Sequence, residues 1–93
     1  MALKKQDQLR FAEQLLTLLD AGLPLLNAIE LIHSTAPNAW LSCLGNVHIQ
    51  LKNGESFSRS LQNQKNQFSI EFINLIKVSE RTGDFSLALK TIS

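Results

Sequence analysis

Asp20-Ala21-Gly22-Leu23-Pro24 decides how this chain is read, because it closes one helix and opens another within a single short stretch. Glycine enters the left-handed conformation that ends a helix without a Cβ penalty, and proline carries a φ already set for a first helical turn. Upstream, from about Asp7 to Asp20, Phe11, Leu15, Leu18 and Leu19 recur at helical spacing, with Arg10, Glu13, Gln14 and Thr17 on the opposite stripe. Downstream, Pro24 takes a first-turn position, and Leu25, Ala28, Ile29 and Ile32 define a buried face. Leu26 and Leu31 widen that face, which predicts that the second helix is the most enclosed element.

The same punctuation recurs at Lys52-Asn53-Gly54-Glu55-Ser56 and at Arg81-Thr82-Gly83-Asp84. Between the joints, Ser34 to Pro37 reads as a turn and Asn38 as the cap of a third helix that carries Trp40, Leu44, Val47 and Leu51 up to Asn53-Gly54. Ser56 then caps a short fourth helix with Phe57 and Leu61 inward, and the polar run Gln62 to Gln67 reads as a loop with nothing to bury. Ser69 opens a fifth helix with Phe72, Leu75 and Ile76 inward. Residues 70–78 are rich in branched side chains, yet the pattern from Ser69 to Thr82 outlasts a usual strand and ends in a helix-stop signal. Asp84 starts a sixth helix, with Phe85, Ala88, Leu89 and Ile92 inward, that reaches Ser93 after about two and a half turns, as though cut from something larger. The expected fold is all-α: a compact six-helix antiparallel bundle with Gly22, Pro24, Gly54 and Gly83 at its turns.

A chain of 93 residues, 44% of them hydrophobic, has room for one domain, taken as residues 1–93. Nine Lys and Arg against eight Asp and Glu leave a net charge of +1, so no strong field points to nucleic acid or to an acidic membrane surface. Lys4-Lys5 is shorter than the cluster of about four to eight basic residues that anchors a segment electrostatically. A single cysteine, Cys43, cannot form an internal disulfide, which fits a reducing cytoplasm. Apolar runs are interrupted at Asn27 and Glu30, well short of the roughly 20 residues of a membrane span, and no signal-peptide pattern opens the chain, so it reads as soluble.

No catalytic, cofactor-binding or metal-ligating arrangement is legible. Gly54-Glu55-Ser56-Phe57-Ser58 approaches a nucleophile elbow, but Ser58 stands where the final glycine belongs and no strand precedes it, so a helix cap is the better reading. His33 and His48 fall on different helices and in no metal motif, and the four glycines are too dispersed to cradle a phosphate. Trp40, Phe57, Phe68, Phe72 and Phe85 sit at inward positions of their helices, as core residues do, and not as a base-stacking platform. Asp20, Glu30, Glu55, Glu71 and Glu80 are spread along the chain, and their convergence in space is not readable from spacing.

The joints acquire a second meaning from their order. Phe11-Ala12-Glu13-Gln14-Leu15-Leu16-Thr17-Leu18-Leu19-Asp20-Ala21-Gly22-Leu23-Pro24-Leu25 resembles the start of the type II secretion system F domain. Leu51-Lys52-Asn53-Gly54-Glu55-Ser56-Phe57-Ser58-Arg59-Ser60-Leu61 looks like that family's glycine turn before a short helix. Ile76-Lys77-Val78-Ser79-Glu80-Arg81-Thr82-Gly83-Asp84-Phe85 is similar to its Gly-Glu-x-x-Gly signature, with Ser79 where the family usually has glycine. The three motifs span nearly the whole chain in the family's order.

This resemblance implies a piece of the polytopic inner-membrane platform protein of type II secretion and type IV pilus machines, whose two related cytoplasmic helical domains are separated and followed by membrane helices. The chain looks like the first of the two, at the cytoplasmic face of the bacterial inner membrane, with helix six continuing toward the bilayer. The implied role is a non-enzymatic scaffold that contacts the assembly ATPase and other inner-membrane components and transmits motion to pilin or pseudopilin subunits. Candidate partner faces are the stripe Arg10, Glu13, Gln14 and Thr17, and the signature residues Glu80 and Arg81, although solvated faces of ordinary kind have the same appearance. Self-association about a two-fold axis would use Leu26 and Leu31. Asn27 and Glu80 meeting at such an interface would offer oxygens to a hard cation, but one amide and one carboxylate fall short of a site, so no metal or cofactor is assigned. The rival classes are a helix-turn-helix nucleic-acid binder, against which the near-neutral charge argues, and a generic helical adaptor.

Overall fold

The computed structural model describes residues 4–64, 67–85 and 90. Five α-helices follow one another along them: α1 (Lys5–Asp20), α2 (Leu25–Thr35), α3 (Asn38–Lys52), α4 (Phe57–Gln62) and α5 (Ile70–Thr82). No strand occurs among the described residues, so the branched run at 70–78 is helical, as its length requires. Of the sixth helix expected from Asp84, only Phe85 and Lys90 are described as helical; Ala88, Leu89 and Ile92 lie outside the described residues. Five helices, and not the expected six, are therefore what the described residues establish.

All three joints carry a left-handed glycine, with φ of 95° at Gly22, 94° at Gly54 and 76° at Gly83. At the first, the Gly22 N–H donates to Leu19 O at 3.0 Å and the Leu23 N–H to Leu18 O at 3.1 Å, the paired bonds of a Schellman stop. The second repeats this with Gly54 on Leu51 O at 3.0 Å and Glu55 on Gln50 O at 2.9 Å. The third closes more simply, through one bond of 2.7 Å from the Gly83 N–H to Ser79 O.

Helix starts differ from expectation in a consistent way. Pro24, expected in the first turn, and Pro37, expected in the turn before a cap at Asn38, are both N-caps, with φ near −60° and ψ of 151° and 156°, so α2 opens at Leu25 and Asn38 is the first residue of α3 with no capping bond from its side chain. The pyrrolidine ring fixes φ, and the extended ψ leaves each proline carbonyl to accept the first bond, from Ala28 and from Trp40, both at 2.9 Å. The expected turn at Ser34 is likewise taken into α2, where its hydroxyl donates to Leu31 O at 2.6 Å. α1 begins at Lys5 and not near Asp7, because the Asp7 carboxylate reaches back to accept the Lys4 N–H at 3.2 Å. Ser56 and Ser69 cap as expected, accepting from the N–H groups of Arg59 and Phe72.

Each helix packs on its neighbour in the chain: α1 on α2, α2 on α3, α3 on α4 and α4 on α5. Phe11 links the ends of this series, its ring 6.4 Å from Trp40, 5.8 Å from Phe68 and 6.2 Å from Phe72. Around it lie Leu15, Ile29, Leu44, Val47, Leu61 and Ile76, all fully buried. Phe68, expected on a helix, instead precedes the cap of α5 and is held by its ring contacts with Phe11 and Phe72. Ala12, Cys43, Ile73 and Ser79 are also buried, whereas Leu18, Leu19, Leu25, Leu51 and Phe85 are only partly covered and pack on the margin of the core.

α2 is not the most enclosed element. Only Ala28, Ile29 and Ile32 of its eleven residues are buried, while α4 buries Phe57, Ser58, Ser60 and Leu61 of six. The apolar stripe of α2 is wider than the core it meets, so Leu31 remains 46% exposed. The polar run after α4 also departs from expectation, because Gln64 is buried: its amide donates to Ser60 O at 3.1 Å and its oxygen accepts from Asn46 at 3.4 Å. Lys65 and Asn66 of that run lie outside the described residues.

Candidate functional site

Glu80 sits in the last turn of α5 and points at the start of α4. One carboxylate oxygen accepts the Ser58 N–H at 3.1 Å and the other accepts the Ser58 hydroxyl at 2.5 Å. Ser58 is the second residue of α4, whose N-terminal N–H groups have no partners within the helix, so an anion there completes the cap that Ser56 begins. Both oxygens of the signature glutamate are thus engaged inside the chain. Ser79, beside it, is 2% exposed and its hydroxyl donates to Leu75 O at 2.8 Å. A small residue fits this closely covered position, and serine satisfies its own polar atom by bonding one turn back.

Arg81 is exposed, as are Lys77 and Val78 on the same helix, so of the two signature residues Glu80 turns inward and Arg81 outward. Asn27 is exposed on α2, and among the described residues no group of three or more His, Cys, Asp or Glu side chains stands close enough to hold a metal ion.

The outer stripe of α1 behaves as its spacing indicates: Arg10, Glu13, Gln14 and Thr17 are all exposed. The fold divides them into two groups. Gln14, Thr17 and Leu18 of α1 face Leu31, Ile32 and Thr35 of α2 across an open groove of about 390 Å³. Arg10 and Glu13 line a separate hollow of about 300 Å³ with Gln6, Asp7 and Leu9, all on α1. Leu26, half-buried, and Asn27 do not line the α1–α2 groove. The groove therefore joins two sets of residues that sequence reading kept apart, the polar stripe and exposed Leu31.

Two further groups involve α3. His48 Nε2 lies 3.3 Å from a Glu30 carboxylate oxygen without the geometry of a hydrogen bond. Cys43 is buried against the core, and that burial pushes its thiol up to about 11, so it is a packing residue and not a nucleophile at neutral pH. Sequence reading missed Ser58 as the partner of Glu80, since the two are 22 residues apart and no local period connects them. It also missed Ile32 and Thr35 as groove residues, because Ile32 reads as core and Thr35 as part of a turn.

Short helices, Schellman and αL stops, and an acidic side chain that caps the fourth helix from the fifth define a small all-α domain with a jointed architecture. Residues 11–93, which contain all three joints, match the sequence pattern of "Type II secretion system (T2SS), protein F". The chain belongs to the type II secretion system protein F family. It is 31% identical over 91 residues to a type 4 fimbrial assembly protein, PilC, of Pseudomonas putida, covering 97% of this chain and 23% of that protein. It is 32% identical over 84 residues to the type IV pilus assembly protein PilC of Thermus thermophilus, covering 89% of this chain and 20% of that one. The chain thus spans less than a quarter of the length of these relatives. Among the described residues, no helix is long and apolar enough to cross a membrane.

Proposed function

We propose that this chain is the first cytoplasmic domain of the inner-membrane platform protein of a type II secretion or type IV pilus machine. In that role it is a non-enzymatic scaffold that couples an assembly ATPase to the movement of pilin or pseudopilin subunits. The observation that carries the reading is the match of residues 11–93 to the secretion protein F family, supported by relatives named for fimbrial and pilus assembly. The geometry adds a surface suited to a partner helix: the α1–α2 groove has an apolar floor of Leu18 and Ile32, exposed Leu31 at its edge and polar Gln14, Thr17 and Thr35 along its sides.

The test uses the full-length gene that contains this domain. Leu31→Lys and Thr17→Lys alter exposed positions, so stability is expected to change by no more than about 0.5 kcal/mol. Both substitutions are expected to reduce capture of the assembly ATPase and to reduce piliation or secretion. Wild-type capture and assembly with both lysines present would reject the groove as the partner surface. A full-length product that never co-purifies with the ATPase, or a downstream reading frame without a membrane helix, would reject the platform role itself. A second copy of the chain is the other occupant for Leu31, and sedimentation of wild type against Leu31→Lys separates self-association from ATPase binding.

A further inference from the structure

We propose that α4 is the opening unit of this fold and that Glu80 is the latch that keeps it closed. α4 has six residues, far fewer than the roughly 12–15 an isolated helix needs to persist in water, so it exists only through what it touches. Left-handed Gly54 precedes it, and Asn63 and Gln64 follow it, bonded to Gln50 and Asn46 of α3, so these two residues move with α4 when it opens and α3 and α5 keep their turns. Three kinds of contact hold it: burial of Phe57 and Leu61, the caps on its N-terminal N–H groups, and the bonds of Asn63 and Gln64 to Gln50 and Asn46 of α3.

The two caps are unequal. Ser56 accepts the Arg59 N–H from within the same segment and moves with it, whereas Glu80 grips Ser58 from another helix, through two donors and with a charged acceptor at the positive end of α4. Ser58 is buried, so its N–H and hydroxyl have no water to turn to when Glu80 is removed. Phe11, Trp40, Leu44 and Val47 lie on α1 and α3, in the same core that Phe57 and Leu61 enter from α4, and serve as the reference for that core. Opening would also release the Phe57 ring from Phe85, 5.9 Å away and beyond Gly83, so the state of α4 is coupled to the chain that leaves α5.

Native-state amide exchange on the 93-residue chain tests this, with each rate divided by the intrinsic rate of that amide and read as the ratio of the values at Ser58, Ser60 and Leu61 to those at Leu44 and Val47. Glu80→Ala is expected to raise that ratio roughly ten- to hundredfold, the effect of losing a charge-assisted bond to a buried group. Ser58→Ala keeps the N–H bond and loses the hydroxyl, so a smaller rise is expected. An unchanged ratio in Glu80→Ala would overturn the proposal, since α4 would then open only with the whole fold. Should Glu80→Ala fail to fold, wild type and Ser58→Ala decide: a ratio above one that rises in Ser58→Ala supports the latch, and a ratio of one in both overturns it.

Discussion

Gly83 and Gly45 are expected to respond to the same substitution with opposite signs. Gly83 has φ of +76°, and a Cβ built there meets nothing within 4 Å, so alanine brings no clash and its cost is conformational. Holding an L-residue in the left-handed region costs roughly 1–2 kcal/mol, and the reduced freedom of the unfolded chain returns roughly 0.4–1 kcal/mol of that. A net loss of about 1 kcal/mol follows for Gly83→Ala, and more for Gly83→Val, whose branched Cβ is less tolerant of that backbone. Gly45 lies inside α3, where alanine is favoured over glycine by about 0.8–1.0 kcal/mol. Its Cβ would meet His33 Nε2 at 3.4 Å, an ordinary contact with a half-buried side chain. Gly45→Ala should therefore stabilise by up to about 1 kcal/mol. Urea unfolding followed by Trp40 fluorescence reads both, and thermal midpoints should separate by about 8–16 °C, since 1 kcal/mol is worth about 4–8 °C in a domain of this size. A neutral Gly83→Ala would show that α5 does not stop through a left-handed residue. A Gly45→Ala loss above about 0.5 kcal/mol would show that α2 and α3 are locked at His33.

Ser56→Ala and Ser69→Ala each remove an accepting hydroxyl from a helix start and should cost about 1 kcal/mol in chemical denaturation, while Asn38→Ala, at a position that caps nothing, should stay within about 0.5 kcal/mol. Trp40→Ala removes the largest fully buried side chain and should cost about 3–5 kcal/mol, enough to leave little cooperative unfolding if total stability is near the lower end of the usual 5–15 kcal/mol. The Cys43 thiol, pushed by burial from 9.0 to about 11, keeps its proton longer in the folded chain than in the unfolded one. Stability should accordingly be unaffected below pH 9 and fall between pH 9 and 11, by at most roughly 3 kcal/mol, and this slope should vanish in Cys43→Ala. Thiol labelling of the native chain at pH 8 should be limited by unfolding; labelling at the rate of a free thiol would refute the burial of Cys43.

What the sequence made legible follows the range of the interactions concerned. Helix stops are local, and Gly22, Gly54 and Gly83 take the left-handed conformation at the positions their flanking residues indicate. Helix starts depend on competition between neighbouring residues, and there the reading erred by one or two positions, as Pro24 is a cap and not a first-turn residue and Pro37 takes the cap expected of Asn38. Inward faces were legible where the apolar stripe was narrow, as in Phe11 and Leu15 or Phe72 and Ile76. On α2 the stripe is wide, and periodicity does not say which part a neighbouring helix covers, so Leu31 was taken for enclosure and is half in solvent. Gln64 and Ser58 depend on partners 18 and 22 residues away, which no periodic pattern encodes.

The same distinction bears on what the family signature is for. A motif that marks a family invites the reading that its polar residues meet a partner, and Glu80 was among the candidates for that reason. Its carboxylate instead accepts two bonds from Ser58, Ser79 is buried beside it, and the Ser79 carbonyl receives the Gly83 N–H that ends α5. Three signature positions thus serve one junction, where a short helix is capped by the element that follows it. Ser79, where the resemblance led to glycine being expected, is compatible with that job, because the position is closely covered and a hydroxyl bonded one turn back remains small. A residue committed to holding two helices together is a poor guide to the partner-facing surface. The better guides are exposed side chains that the packing does not use, and here these are Gln14, Thr17 and Leu31 along the α1–α2 groove, with Lys77, Val78 and Arg81 on the outer face of α5.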